Sequence, residues 1–146
     1  MAGTKDALPF DPRVADGLVR AHEKLTGLPG FLGLRLTGFE PGRLHAEMEV
    51  RAELLTPFGN LHGGVLAALC DHVLGCVCYP HMGRGQWAAT TEFKLNYLAP
   101  VSKGKLEADA SIVSLTRSTA VVRIEVSNEG RSCCLAQGTV LIRDPK

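Results

Sequence analysis

No surplus charge of either sign marks this chain of 146 residues: sixteen Lys and Arg stand against fifteen Asp and Glu, for a net charge of +1. That balance excludes the broad basic footprint by which nucleic acid or an anionic membrane surface is held, so any anionic ligand must be met locally. A long apolar run is also missing. The longest near the middle, Val65 to Cys70, falls far short of the roughly 20 residues needed to cross a bilayer. Met1 to Asp11 lacks the apolar stretch and small-residue cleavage site of a secretory signal, which makes the cytoplasm the expected location. Internal repeats and low-complexity tracts are absent. Nor can the cysteines all pair: Cys70, Cys76, Cys78, Cys133 and Cys134 are five, which favours reduced, core-packed thiols over a disulfide framework.

What is present suffices for one domain over 1–146, since 45% of residues are hydrophobic and 21% charged, enough to bury a core. Residues 1–10 read as a loose leader. Asp11-Pro12 resembles a helix start with Pro at the first helical position, and a helix is expected over 11–26, stopped by Gly27 and Pro29-Gly30. Phe31 to Phe39 reads as a strand and Pro41-Gly42 as a turn. Arg43 to Val50 reads as a second strand, with Leu44, Ala46, Met48 and Val50 alternating against Arg43, His45, Glu47 and Glu49, so one face of the hairpin is wet. From Gly63 to about Tyr79, apolar residues surround a helix on most sides, which predicts burial. Four strands follow: Trp87 to Leu95, Leu106 to Leu115, Thr119 to Val126 and Cys133 to Ile142, with turns at Gly104, Arg117-Ser118 and Asn128-Glu129-Gly130. This order predicts an α+β domain in which one curved antiparallel sheet wraps around a central buried helix. Such a sheet leaves edges to protect, and edge-to-edge pairing of two protomers is the economical solution.

Asp71 is the sole carboxylate between Glu53 and Glu92. Inside so apolar a helix an ionised Asp costs several kcal/mol unless it has a partner or a pocket. One reading is structural, an Asp that caps a loop or pairs with His62 or His72. The other starts from Gly63 and Gly64, whose backbone N–H groups open the helix at the positive end of its dipole and suit a carbonyl oxygen becoming an oxyanion. The glycines alone would also serve as a tight turn. Gly63 and Asp71 are eight residues apart, roughly 12 Å along one helix axis, so they cannot serve one carbonyl together. If both act, Gly63 of one protomer meets Asp71 of another, with the helices antiparallel across a two-fold axis.

Gly59-Asn60-Leu61-His62-Gly63-Gly64 followed by Asp71 resembles the hotdog-fold thioesterases, in particular the PaaI-like acyl-CoA thioesterase subfamily. The resemblance covers about residues 31–142 and includes Thr90-Thr91 to Asn96-Tyr97-Leu98-Ala99-Pro100 and Ala136-Gln137-Gly138. It implies a hotdog fold and hydrolysis of an acyl-CoA thioester, with Asp71 as general base or nucleophile, the Gly63 amide polarising the carbonyl, His62 positioning the substrate or the loop, and Thr90 orienting water or the carboxylate, with Thr91 as its alternative. Thr56 stands where the family commonly has Asn. Thr56, Asn60, Gly64 and Thr91 are the expected substrate contacts, and Arg117-Ser118 the contact for the nucleotide end. A homodimer with shared active sites follows, a tetramer being left open. No cofactor is expected, because coenzyme A is part of the substrate.

Other roles stay in view. A non-catalytic acyl-CoA binding module would keep the pocket without turnover, and a hydratase or dehydratase of the same fold would use His62 with Asp71 to move protons on the acyl chain. His72 and Cys76, four apart, with Cys78 and His81 following, raise a metal site, but their spacings do not repeat as structural zinc ligands do, and none is assigned. His22 and His45 read as surface residues. Arg84, Lys94, Lys103, Lys105 and Arg117 are candidate cations for the phosphates, and Phe58, Met82 and Trp87 candidate walls of an acyl pocket.

Overall fold

A computed structural model describes residues 8–146; most of the expected leader, residues 1–7, lies outside the described residues. Helix α1 (Pro12–His22) starts where Asp11 accepts the Arg13 N–H at 2.9 Å, with Pro12 at the first helical position. It ends four residues short of the expected 26. The stretch expected to break it instead forms a second helix, α2 (Gly27–Leu32), closed by Gly33 at φ 68°. The strand expected from Phe31 therefore starts later, as β1 (Arg35–Glu40). Pro29 sits harmlessly in the first turn of so short a helix, and a left-handed glycine at its end is the usual stop, so the same Gly and Pro that suggest a loop also bracket a helix.

The remaining elements are β2 (Arg43–Glu49), α3 (Gly63–Cys76), β3 (Trp87–Tyr97), β4 (Lys105–Leu115), β5 (Thr119–Asn128) and β6 (Arg131–Arg143). All pairings are antiparallel in one six-stranded sheet of order β1-β2-β4-β5-β6-β3. Leu44, Ala46, Met48, Leu106, Ala108, Ala110, Val122, Ile124, Val126, Ala136 and Val140 form its inner face and are buried with α3 residues Leu66, Leu69, Cys70, Val73 and Leu74. The outer face carries the alternating polar set, joined by pairs such as Arg43–Asp109 at 2.8 Å and Lys105–Glu47 at 3.3 Å. This is the curved sheet around a central helix that the sequence implies.

All five cysteines are buried and free. Alternation would send one of Cys133 and Cys134 outward, but the β5–β6 register skips a residue there, pairing Val126 with Cys134 and Ser127 with Ser132, so both thiols turn inward. A hydrogen bond with Cys134, and then burial, push the Cys70 thiol far above its ordinary value, as befits an unreactive core group.

Gly63–His81, which takes in α3 and the turn after it, has the length and apolarity of a membrane span, 19 residues at mean hydropathy 1.4, although no uninterrupted run is that long. Half of that window is buried inside the domain, where it supplies the core.

His81, in the turn after α3, fastens the N-terminal segment. Its Nδ1–H donates to Pro9 O and its Nε2 accepts the Gly42 N–H at 3.0 Å. Protonation would set a second donor against that amide, and burial lowers the His81 pKa. A histidine whose folded pKa is depressed stays neutral while the unfolded chain takes up its proton, so stability falls as pH drops below about 6.5, the ordinary value for the unfolded side chain. The urea midpoint is expected to decrease from pH 7.5 to pH 5, and to decrease less in His81→Gln.

Candidate active site

The first turn of α3 is assembled around His62. Its N–H donates to Leu54 O at 3.0 Å, and its Nδ1 accepts the Gly64 N–H at 2.9 Å. A ring nitrogen that accepts carries no proton, which assigns the proton of neutral His62 to Nε2. The Gly64 amide is thus consumed in capping, whereas the Gly63 N–H has no acceptor among the described residues. The two amides expected to face a carbonyl reduce to one, and Gly64 offers a substrate only its missing side chain. Gly63 is glycine for a packing reason as well: a Cβ there would lie 2.7 Å from the Tyr97 hydroxyl, which donates to Gly63 O at 2.9 Å.

The loop before the helix is a small closed turn. Thr56 N–H donates to Asn60 O at 2.7 Å, Gly59 N–H to Thr56 O at 2.9 Å, and Thr56 Oγ1 accepts the Phe58 N–H at 3.3 Å. Thr56 therefore uses its hydroxyl oxygen within its own loop. Asn60 is exposed, and Phe58 at the loop's tip is 91% exposed.

Asp71 faces solvent in the single chain, bonded to neither His62 nor His72. The helix is buried on most sides, as expected, and open on one. Leu66, Leu69, Cys70, Val73 and Leu74 fill the sides against the sheet, while Gly64, Ala68, Asp71 and Gly75, spaced four, three and four, leave one side thinly covered or open. Small side chains on that stripe escape an apolarity count that scores Ala and Gly with the core.

Beside that stripe runs β3, the long edge of the sheet. Ala88 lies 4.0 Å from where a Gly75 Cβ would be, and Thr90 sits opposite the buried Val140, so both face the α3 side. A bulge at Thr91 shifts the phase, after which Phe93, Leu95 and Tyr97 take the inner positions. Thr91 donates its hydroxyl to Thr139 O at 3.1 Å, whereas Thr90 is exposed and its hydroxyl has no hydrogen-bond partner among the described residues, so the two threonines are not equivalent.

The row Ala120, Val140, Thr90 crosses three paired strands and puts the exposed Arg117-Ser118 turn at the Thr90 end of the sheet. His62 and Gly63 lie at the other end, beside Tyr97. Phe58 and Trp87 are likewise at opposite ends, so the candidate acyl-pocket residues do not gather within one protomer. Of the candidate cations, Lys105 is committed to Glu47 and Glu107, and Arg84, Lys94, Lys103 and Arg117 are exposed.

Two residues escaped sequence reasoning. Tyr97 holds the helix start through Gly63, and its place in Asn96-Tyr97-Leu98 was the available signal. His22, expected on the surface, is 7% exposed and meets His72; no local pattern could have paired residues fifty positions apart.

Residues 58–135 match the family model described as the thioesterase superfamily. The chain is 36% identical over 113 residues to the proofreading thioesterase EntH of Klebsiella pneumoniae, covering 76% of this chain and 82% of that protein. It is 26% identical over 118 residues to the 1,4-dihydroxy-2-naphthoyl-CoA hydrolase of Listeria monocytogenes, covering 80% and 96%. A solved variant of the phenylacetic acid degradation protein PaaI from Thermus thermophilus superposes with a TM-score of 0.71 at 33% identity over 77% of this chain and 96% of that one. The chain belongs to the thioesterase superfamily, as a PaaI-like hotdog protein and a thioester hydrolase.

Proposed function

We propose that the substrate is an acyl-CoA thioester and that each active site forms between two copies of this chain, Gly63 from one and Asp71 from the other. The observation that carries this is the pair of unpartnered groups on α3, the Gly63 N–H and the Asp71 carboxylate, held roughly 12 Å apart on one continuous helix. Each is half of a hydrolytic centre. β3 supports the pairing: it is an open edge of eleven residues with exposed Trp87 and Tyr97 and no fully buried position, whereas the other edge, β1, is short, bulged and packed under α1. Antiparallel helices across a two-fold would bring the Phe58 and Gly63 end of one protomer to the Thr90, Trp87 and Arg117 end of its mate. The Listeria relative, a 1,4-dihydroxy-2-naphthoyl-CoA hydrolase, supports the substrate class.

In this arrangement the Gly63 N–H, at the positive end of the α3 dipole, polarises the thioester carbonyl. Asp71 takes a proton from water as it attacks, the negative charge gathers on the carbonyl oxygen beside Gly63, and collapse breaks the C–S bond, the proton on Asp71 passing to the departing sulfur so that the free acid and the coenzyme A thiol are released. In the other route Asp71 itself attacks, and water then hydrolyses the mixed anhydride. Label appearing in Asp71 after a single turnover in oxygen-labelled water would exclude direct attack by water. Thr90 orients the water or the carboxylate, and Arg117 with Ser118 meets the nucleotide. Because His62 Nδ1 is spent on the cap, only its Nε2 is left to face a substrate, and His62 is read as a positioning residue.

Complementation tests the shared site. Asp71→Asn and Gly63→Pro chains, the second lacking the amide donor at a first-turn position that accepts proline, each inactive alone, are unfolded together and refolded. Half of the dimers are then mixed, each holding one site of native Gly63 and native Asp71, so about a quarter of wild-type thiol release returns. No recovery with mixed dimers present would sink the shared site while leaving thioester hydrolysis intact.

A further inference from the structure

Where the C-terminal end of α1 crosses α3, three side chains that play no part in hydrolysis converge. His22 Nε2 and His72 Nε2 are 2.7 Å apart, Cys76 Sγ is 3.5 Å from His72 Nε2, and all three atoms lie within 4.8 Å of one another. We infer that His22, His72 and Cys76 form a binding site for a borderline-soft divalent ion of the zinc type, ligated by two imidazole nitrogens and one thiolate. The inference is independent of the thioesterase reading.

The donor set is the first argument. Imidazole and thiolate are the ligands that borderline-soft ions prefer over the hard cations, and three protein ligands leave a fourth tetrahedral position for water or another small ligand. The second is the outer contact: His22 Nδ1–H donates to Leu18 O at 2.7 Å. That bond fixes the ring and leaves the Nε2 lone pair aimed at His72, which is how metal-bound histidines are ordinarily held. The third is position. His22 is the last residue of α1, so the ion would sit at the negative end of that helix dipole, where positive charge is favoured. His72 and Cys76, four apart on a helix, share one face.

The protons balance. Since His22 Nε2 is unprotonated, His72 donates from Nε2 across the 2.7 Å contact when no metal is bound. On binding, the His72 proton moves to Nδ1 and the Cys76 thiol gives its proton to solvent, so a dication enters and one proton leaves. Without an ion the thiol is inert, because burial pushes Cys76 up to about 12. The bound ion would tie α1 to the core helix one residue past Asp71.

Cobalt(II) is the probe, because its colour reports both geometry and sulfur ligation. Titrating the purified full-length chain is expected to give one equivalent of tetrahedral cobalt with a sulfur-to-metal charge-transfer band, displaced by zinc. Cys76→Ser should abolish the charge-transfer band, and His22→Gln should weaken cobalt binding by at least about 100-fold, beyond the 10- to 100-fold typical of losing an outer partner. Cys78→Ser, whose thiol bonds to Leu74 O outside the cluster, should leave the spectrum unchanged. If the variants misfold, X-ray absorption on zinc-loaded wild type should still read one sulfur near about 2.3 Å and two nitrogens near about 2.0–2.1 Å. Cobalt that binds without charge transfer, bands that survive in Cys76→Ser, or a wild-type absorption spectrum showing no sulfur would overturn the site.

Discussion

Asp71→Asn is expected to lower kcat for thioester hydrolysis by about 10²–10⁴, the usual worth of a positioned general base. The carboxylate and the amide have nearly the same shape, so what is lost is the ability to take a proton from water or to attack the carbonyl. Asp71 is exposed and has no side-chain hydrogen bond or ion pair among the described residues, so no such contact within the described chain is lost with it. The melting temperature should therefore hold, and a non-hydrolysable thioether analogue should bind as well to the variant as to wild type. Equal turnover by both proteins would remove Asp71 from the chemistry and return it to the structural reading.

Gly138→Ala acts on the scaffold. A Cβ at Gly138 would lie 2.5 Å from Phe93 Cβ, 2.6 Å from Glu92 O and 2.7 Å from Leu74 Cδ1. The first two atoms belong to β3 close to its backbone and cannot swing aside as a flexible side chain would. The collision wedges β6 away from β3 and from α3 together. Overpacking commonly costs about 1–3 kcal/mol, and three contacts this short put the expected loss at about 3 kcal/mol or more. For a chain of this size that corresponds to a fall of roughly 6–12 °C in Tm. Thermal and urea unfolding read it directly, and a shift below about 2 °C would mean that the strands are not packed as described.

The architecture was largely legible because its signals are local. Alternation in Arg43 to Val50, the β-branched run at Val121 to Val126 and the Asn128-Glu129-Gly130 turn each report a strand or its end without reference to the rest of the chain. Gly27–Leu32 was misread because glycine and proline mark both loops and the ends of short helices, and only contact with α3 decides between them. The nucleus of the proposed site, His62 to Gly64 and Asp71, is marked in the sequence as an interval of chain. Its finer roles are not: that His62 spends Nδ1 on Gly64, that Tyr97 braces Gly63, and that His22 reaches His72 all depend on tertiary approach, which leaves no periodic trace.

The single bulged residue Thr91 has an effect on the tolerance of this strand to length change. Upstream of it the inward side chains fall on even numbers and downstream on odd ones, so the strand is read in two frames. Deleting one residue at that point would merge the frames: either Ala88 and Thr90 would turn to the outer surface, or Phe93, Leu95 and Tyr97 would. Substitutions elsewhere on β3 change one position each, whereas this one-codon loss would revolve half the strand. A hydroxyl beside the core helix and an aromatic brace at its first turn coexist because of one surplus amino acid.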